Sequence, residues 1–185
     1  PNFMHFLSPN LPTRKIKRQR LVCMFGYTFG NLENEVRFVR NSLVGFQRGD
    51  YLLLDVVLAY APADQPQSIL SKDPAFSRKR PPEFQAKYDE FILGPIRRNI
   101  ANISRIVLTP ALDTTSCPIR GSYAVDLRAK VTLLDGQTKE FSAACGKRYE
   151  PTGLSDCLAQ EGWRQVHLWP YGSDFPSMLI LFARD

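Results

Sequence analysis

The hydrophobic pattern of the chain alternates between two periods. Residues 21–25, Leu-Val-Cys-Met-Phe, are an unbroken apolar run of strand length, as expected of a strand buried on both faces. Gly26-Tyr27-Thr28-Phe29-Gly30-Asn31 follows, with glycines that let backbone approach a ligand closely. The apolar positions then take helical spacing at Leu32, Val36, Val39 and Leu43, and Gly49-Asp50 turns the chain into a second apolar run. The pattern predicts a strand at 20–27, a loop, a helix at 32–46 capped by Asn31, and a strand at 50–58. In open α/β sheets ligands bind beyond the carboxyl ends of the strands, so residues 26–31 are the first place to expect a site.

Periodicity fades over 61–82, where Pro, Gln, Ser and Lys predict a long mobile stretch. It returns in helical form at Phe84, Tyr88, Phe91 and Ile92. After Gly94-Pro95 it resumes at Ile96 and Ile100, so two helices or one bent helix are expected. The last third is mainly β. Residues 122–134 alternate in part, Asp135-Gly136 is a hairpin turn signal, and 141–149 reads as the return strand. A short helix at 152–161, with Leu154, Cys157 and Leu158 inward, ends at Gly162. Strands at 163–169 and 177–183 close the chain. The organisation read from this is a partial sheet at 1–60, a mobile and helical segment at 61–121, and a β-rich part at 122–185 that completes the sheet.

Composition narrows the classes. With 185 residues, 44% hydrophobic and 11% aromatic, the chain can bury one sizeable core. No stretch approaches the roughly 20 apolar residues of a membrane helix, and no targeting pattern is visible, so a cytoplasmic protein is expected. The apolar cluster Phe3, Met4, Phe6 and Leu7 wants something to pack against, which reads as a fragment beginning inside a fold. Cys23, Cys117, Cys145 and Cys157 form no C-x-x-C pair and have no histidine at metal spacing, so they read as reduced thiols and no metal site is expected. The net charge of +6 owes much to Arg14, Lys15, Lys17, Arg18 and Arg20. That run carries no interleaved aromatics to stack bases, which places nucleic-acid binding last among the readings. His5 and His167 are isolated, and no Ser-His-Asp, Cys-His, phosphate-loop or paired-carboxylate arrangement is present, so no catalytic residue is singled out.

The run FGYTFGNLENE followed by GDYLLLDV resembles the later half of the S-adenosylmethionine-dependent methyltransferases related to the histidine Nα-methyltransferase of ergothioneine biosynthesis. In that family a GSTxGN loop ends one sheet strand and a GD-x-L-L strand follows. The resemblance implies an α/β fold. Its form would be a partial class I methyltransferase (Rossmann-like) sheet with antiparallel C-terminal strands and an inserted substrate-side segment. It also implies a small-molecule substrate, with S-adenosylmethionine as cofactor of the full-length protein only, because the family's Gly-rich cofactor loop lies upstream of this region. Gly26, Tyr27 and Gly30 would stand on the cofactor side. Asn31 and Thr28 would face the substrate, with Tyr60, Tyr88 and Tyr123 as aromatic walls for an ammonium group.

Two departures matter. Tyr27 replaces the small residue usual in the loop. The segment 141–149 matches the family's E-x-S-x-K-[FY] strand, but Ala144 and Gly146 stand where the histidine-binding Glu and Ser belong. A site without those hydrogen-bonding groups cannot select an imidazole, so the expected substrate is an amine other than histidine. The alternative is a methyltransferase-like module that binds a ligand or protein without catalysis.

Overall fold

The computed structural model describes residues 19–77, 82–172 and 176–185, with only the backbone described at 77, 82–86, 88 and 89. The fold is mixed α/β, with two sheets. The first has four strands in the order β1 (Leu21–Met24), β2 (Tyr51–Val57), β7 (Ser177–Arg184), β6 (Trp163–Tyr171). β1 and β2 run parallel, Leu21 beside Tyr51 through Met24 beside Leu54, whereas β7 is antiparallel to both β2 and β6. This is the partial Rossmann-like sheet with antiparallel C-terminal strands that the sequence led us to expect.

One face of this sheet is packed. Leu52, Leu54 and Val56 of β2 and Met178, Ile180 and Phe182 of β7 meet Phe38 and Val39 of α1 (Glu35–Ser42). Leu154 and Leu158 of α5 (Pro151–Gln160) complete the contact, with Trp163 and Tyr149 inside the same cluster. Each large side chain fully buried here contributes roughly 1.5–3 kcal/mol. The alternate residues Tyr51, Leu53, Asp55 and Val57 lie on the opposite face.

The second sheet is a three-stranded antiparallel meander: β3 (Ile103–Asp113), β4 (Tyr123–Leu133) and β5 (Thr138–Arg148). Its hairpin turns at Asp135-Gly136, where Gly136 takes φ +84° and the Asp135 carboxylate accepts from Gln137 N–H at 2.9 Å. α4 (Pro82–Asn99) packs Ile92 and Ile96 onto Ala129 and Val131. The sheets join at the carboxyl end of β2, where Tyr149 N–H donates to the Val57 carbonyl and Ala59 N–H to the Tyr149 carbonyl, each at 2.9 Å. The second sheet is thereby rooted at the edge where the loop 26–31 emerges.

Several expectations need correction. β4 and β5 do not complete the first sheet; they pair with β3, an element the sequence reading did not foresee. Within 61–77 the chain forms α2 (Pro66–Lys72) and α3 (Pro74–Ser77), two helices the sequence reading did not include, each opened by a proline at its start, where a missing N–H costs no hydrogen bond; residues 78–81 of the expected mobile stretch lie outside the described residues. Ile69 anchors α2 in a cluster with Ala61, Tyr123 and Val125. Of the two forms expected around Pro95, the structure has the single helix: α4 continues through it. α1 starts later than expected, because residues Thr28–Asn31 form a 3₁₀ turn. The residue that caps α1 is Asn34, whose Oδ1 accepts from Arg37 N–H at 2.8 Å.

Candidate functional site

The loop after β1 leaves the sheet through two consecutive left-handed residues, Gly26 (φ +65°) and Tyr27 (φ +61°). Glycine adopts this conformation freely, whereas tyrosine is strained in it and needs surrounding structure to hold it there. Two side chains do so. Asp55, buried on the face of β2 opposite the packed core, accepts from Gly26 N–H through Oδ2 at 2.9 Å, and the Tyr27 hydroxyl pairs with Ser177 Oγ at 3.1 Å. Thr28 Oγ1 closes the turn on the Phe25 carbonyl at 2.6 Å. Across β7, the Tyr171 hydroxyl donates to Asp55 Oδ1. Burial of this hydroxyl, together with its bond to the Asp55 carboxylate, pushes its pKa above the ordinary tyrosine value.

Gly26 has nothing within 4 Å of the position a Cβ would take, so its backbone lies open to an approaching group. Gly30 is different. It is buried, and a Cβ there would meet the Lys147 backbone at 3.4 Å, so the 3₁₀ turn packs closely on β5 at this residue. The same contact carries a buried polar cluster. Lys147 Nζ donates to Glu35 Oε2 at 2.8 Å and to the carbonyls of Leu32 and Glu33, and Tyr149 donates to Glu35 Oε1 at 2.5 Å. The cluster is internally satisfied and ties the start of α1 to β5.

The sequence-predicted residues therefore separate. Gly26, Tyr27 and Thr28 stand together at the carboxyl edge of β1. Asn31 ends the 3₁₀ turn and is exposed, with capping left to Asn34. Tyr123 is 0% exposed and forms no aromatic wall. Its hydroxyl donates to Asp73 Oδ2 at 3.0 Å and accepts from Tyr60 N–H at 3.3 Å, and burial next to the Asp73 carboxylate raises its pKa. Arg148 Nε reaches the same Asp73 oxygen at 3.2 Å, so this group staples α2, β4 and β5. Tyr88 lies on α4, and its side chain is outside the described residues. The basic run 14–18 and His5 also lie outside them, while Arg20 is occupied by Asp50 at 2.5 Å. His167 is exposed on β6, its ring 4.3 Å from that of Trp169.

Sequence reading missed Asp55, Tyr171 and Ser177. The signal for Asp55 was available, since a charged residue interrupts the apolar strand run 51–57. Among the described residues no group of three or more His, Cys, Asp or Glu side chains is placed to hold a metal ion. An apolar groove of about 440 Å³ opens between α4 and β5, lined by Phe91, Pro95, Asn99, Phe141, Ala143 and Ala144, apart from the loop 26–31.

No family model and no curated protein sequence matches the chain. Solved structures do match over most of its length. The CcbJ methyltransferase from Streptomyces caelestis is 10% identical, with a TM-score of 0.37 over 93% of this chain and 61% of its own. An S-adenosylmethionine-dependent methyltransferase from Clostridium acetobutylicum is 7% identical, with a TM-score of 0.39 over 92% and 61%. The glycopeptide N-methyltransferase MtfA, solved with S-adenosyl-L-homocysteine, is 9% identical, with a TM-score of 0.38 over 92% and 57%. The chain thus spans about three fifths of the length of these proteins. Likenesses this loose settle neither family nor substrate. Among the described residues no helix is long and apolar enough to cross a membrane.

Proposed function

We propose that the chain is the C-terminal portion of an S-adenosylmethionine-dependent N-methyltransferase that acts on a small amine other than histidine. The observation that carries this reading is the placement of the loop 26–31. It leaves the carboxyl end of a parallel strand in a sheet ordered β1-β2-β7-β6 with β7 reversed, beneath the root of a second sheet. Gly26 supplies open backbone, Tyr27 and Thr28 border it, and Asn31 is exposed beyond them. Transfer of a methyl group to a neutral amine asks mainly for alignment of donor and acceptor, so a crevice without an acid/base pair is compatible with it. Ala144 and Gly146 on β5 offer no side-chain hydrogen bonds, which supports a substrate other than histidine.

Gly26, with its open backbone, and Tyr27 would form one wall of a cofactor site. The remaining wall belongs to strands upstream of residue 1 in this reading. Isothermal titration with S-adenosylhomocysteine tests it in two arms. The 185-residue chain should give no saturable heat, and a longer protein carrying the preceding strand and its Gly-rich loop should bind at micromolar concentration. Micromolar binding by the 185-residue chain alone would sink the partial-site reading, and no binding by the longer protein would sink the methyltransferase reading.

A further inference from the structure

Four carboxylates of the described core are buried: Glu35, Asp50, Asp55 and Asp73. Three of them have a cation against them, Lys147 on Glu35, Arg20 on Asp50 and Arg148 on Asp73. Asp55 does not. It is 7% exposed, and among the described residues its two oxygens accept from the neutral donors Gly26 N–H and Tyr171 O–H and no basic side chain pairs with it. A buried carboxylate held only by neutral donors keeps an uncompensated charge and spare acceptor capacity. Beside it the chain exposes aromatic surface, Tyr27 at 37%, Tyr171 at 42% and Phe25 at 55%. A ring face attracts a cation, and a carboxylate flanked by rings suits an ammonium group carried on an apolar body.

We propose that Asp55, flanked by Tyr27 and Tyr171, is the recognition site for a protonated amine, the missing cation of the fourth buried carboxylate. The inference deepens the N-methyltransferase reading and rests on it for the role of the crevice. Asp55 would hold the acceptor's amine in its charged form next to the open backbone of Gly26. The ammonium gives one proton to solvent water (RNH3+ + H2O → RNH2 + H3O+), which leaves on the nitrogen the lone pair that attacks the methyl group as its bond to sulfur breaks. Asp55 also fixes the left-handed turn, so both the ligand and the loop geometry depend on it.

The test is a ¹⁵N NMR titration of the 185-residue chain with 2-phenylethylamine, charged at pH 7, and in parallel with its neutral counterpart 2-phenylethanol. The amine should shift the Gly26 and Ser177 amides saturably, with the alcohol at least tenfold weaker. Asp55→Asn should weaken amine binding at least tenfold. The comparison of amine with alcohol stands on the unaltered chain should Asp55→Asn fail to fold. Equal shifts from the alcohol, no shift from the amine up to about 10 mM, or undiminished binding by folded Asp55→Asn would each overturn the proposal. Amine binding alongside failed S-adenosylhomocysteine binding by the longer protein would retire methyl transfer and keep the amine site. The reverse result would retire the amine site alone.

Discussion

A buried ionisable group ties stability to pH, and here the two ends of the pH scale are governed by different residues. For Asp50, burial raises the pKa, but the Arg20 guanidinium and the N–H groups of Gln47 and Arg20 outweigh it, and the folded value lies below the ordinary one. Its contribution is therefore present above the unfolded carboxylate value of about 4 and is lost as pH falls through the folded value. Tyr123, Tyr149 and Tyr171 shift upward, chiefly through burial and then through the carboxylates they donate to. The folded state holds their protons, so their contribution is present below about pH 10 and is lost as pH rises beyond it. Urea midpoints should be nearly constant from about pH 5 to 9 and fall at pH 3 and at pH 11. A midpoint unchanged at pH 11 would mean that these tyrosines ionise freely in the folded chain.

A second residue-scale prediction separates two asparagines. Asn34→Ala removes a cap and should cost about 1 kcal/mol in urea unfolding. Asn31→Asp changes an exposed residue and should stay within about 0.5 kcal/mol; if the proposed methyltransferase function holds, it should also sharply reduce substrate binding by the longer protein. Equal losses of stability from both substitutions would contradict the assignment of the cap. The sequence pointed to Asn31 because the apolar helical spacing begins at Leu32. It could not show that residues 28–31 wind as a 3₁₀ turn, a choice made by Gly30 packing on a strand more than a hundred residues later.

At the scale of elements, legibility followed locality. β1, β2, the β4–β5 hairpin, α5, β6 and β7 could be read because apolar runs, Asp135-Gly136 and the stop at Gly162 are local signals. β3 was hidden by Pro110, which is tolerated because, among the described residues, β3 is the edge strand beside β4. α2 was hidden because its order comes from tertiary contacts, with Ile69 and Asp73 buried against β4. α5 offers a sharp test. Its N-terminus is capped by Glu150, which accepts from Thr152 N–H at 3.1 Å and from Gly153 N–H at 2.6 Å, and a Cβ on Gly153 would fall 2.1 Å from the Arg120 carbonyl oxygen. Glycine to alanine in a helix normally stabilises by roughly 0.5–1 kcal/mol. Here backbone blocks the added carbon, and Gly153→Ala should destabilise by about 1–3 kcal/mol in urea unfolding. A stabilised variant would show that the 120–122 turn gives way without penalty.

At the scale of the molecule, the candidate crevice was legible as a place, the carboxyl end of β1, but not as a set of residues. Its carboxylate comes from β2 and its second hydroxyl pair from β6 and β7, and no spacing in the sequence brings these together. The same sheet has one packed face and one open face, on which Leu21 and Phe25 are more than half exposed and Cys23 and Trp169 are exposed as well. Parallel strands are ordinarily covered on both faces, and among the described residues β1 is the edge strand of this sheet. The methyltransferase reading requires that preceding strands and helices cover both, and Cys23 reports on this directly. In the 185-residue chain, maleimide labelling followed by peptide mapping should find Cys23 modified early. Cys117 should stay unmodified until unfolding, because burial pushes its thiol up to about 11. In a longer protein with the preceding strands, Cys23 should move to the protected class while Cys145, on the second sheet, keeps its rate. If Cys23 labels equally fast in the longer protein, the sheet ends at β1, and the crevice beside Asp55 has only the walls described here.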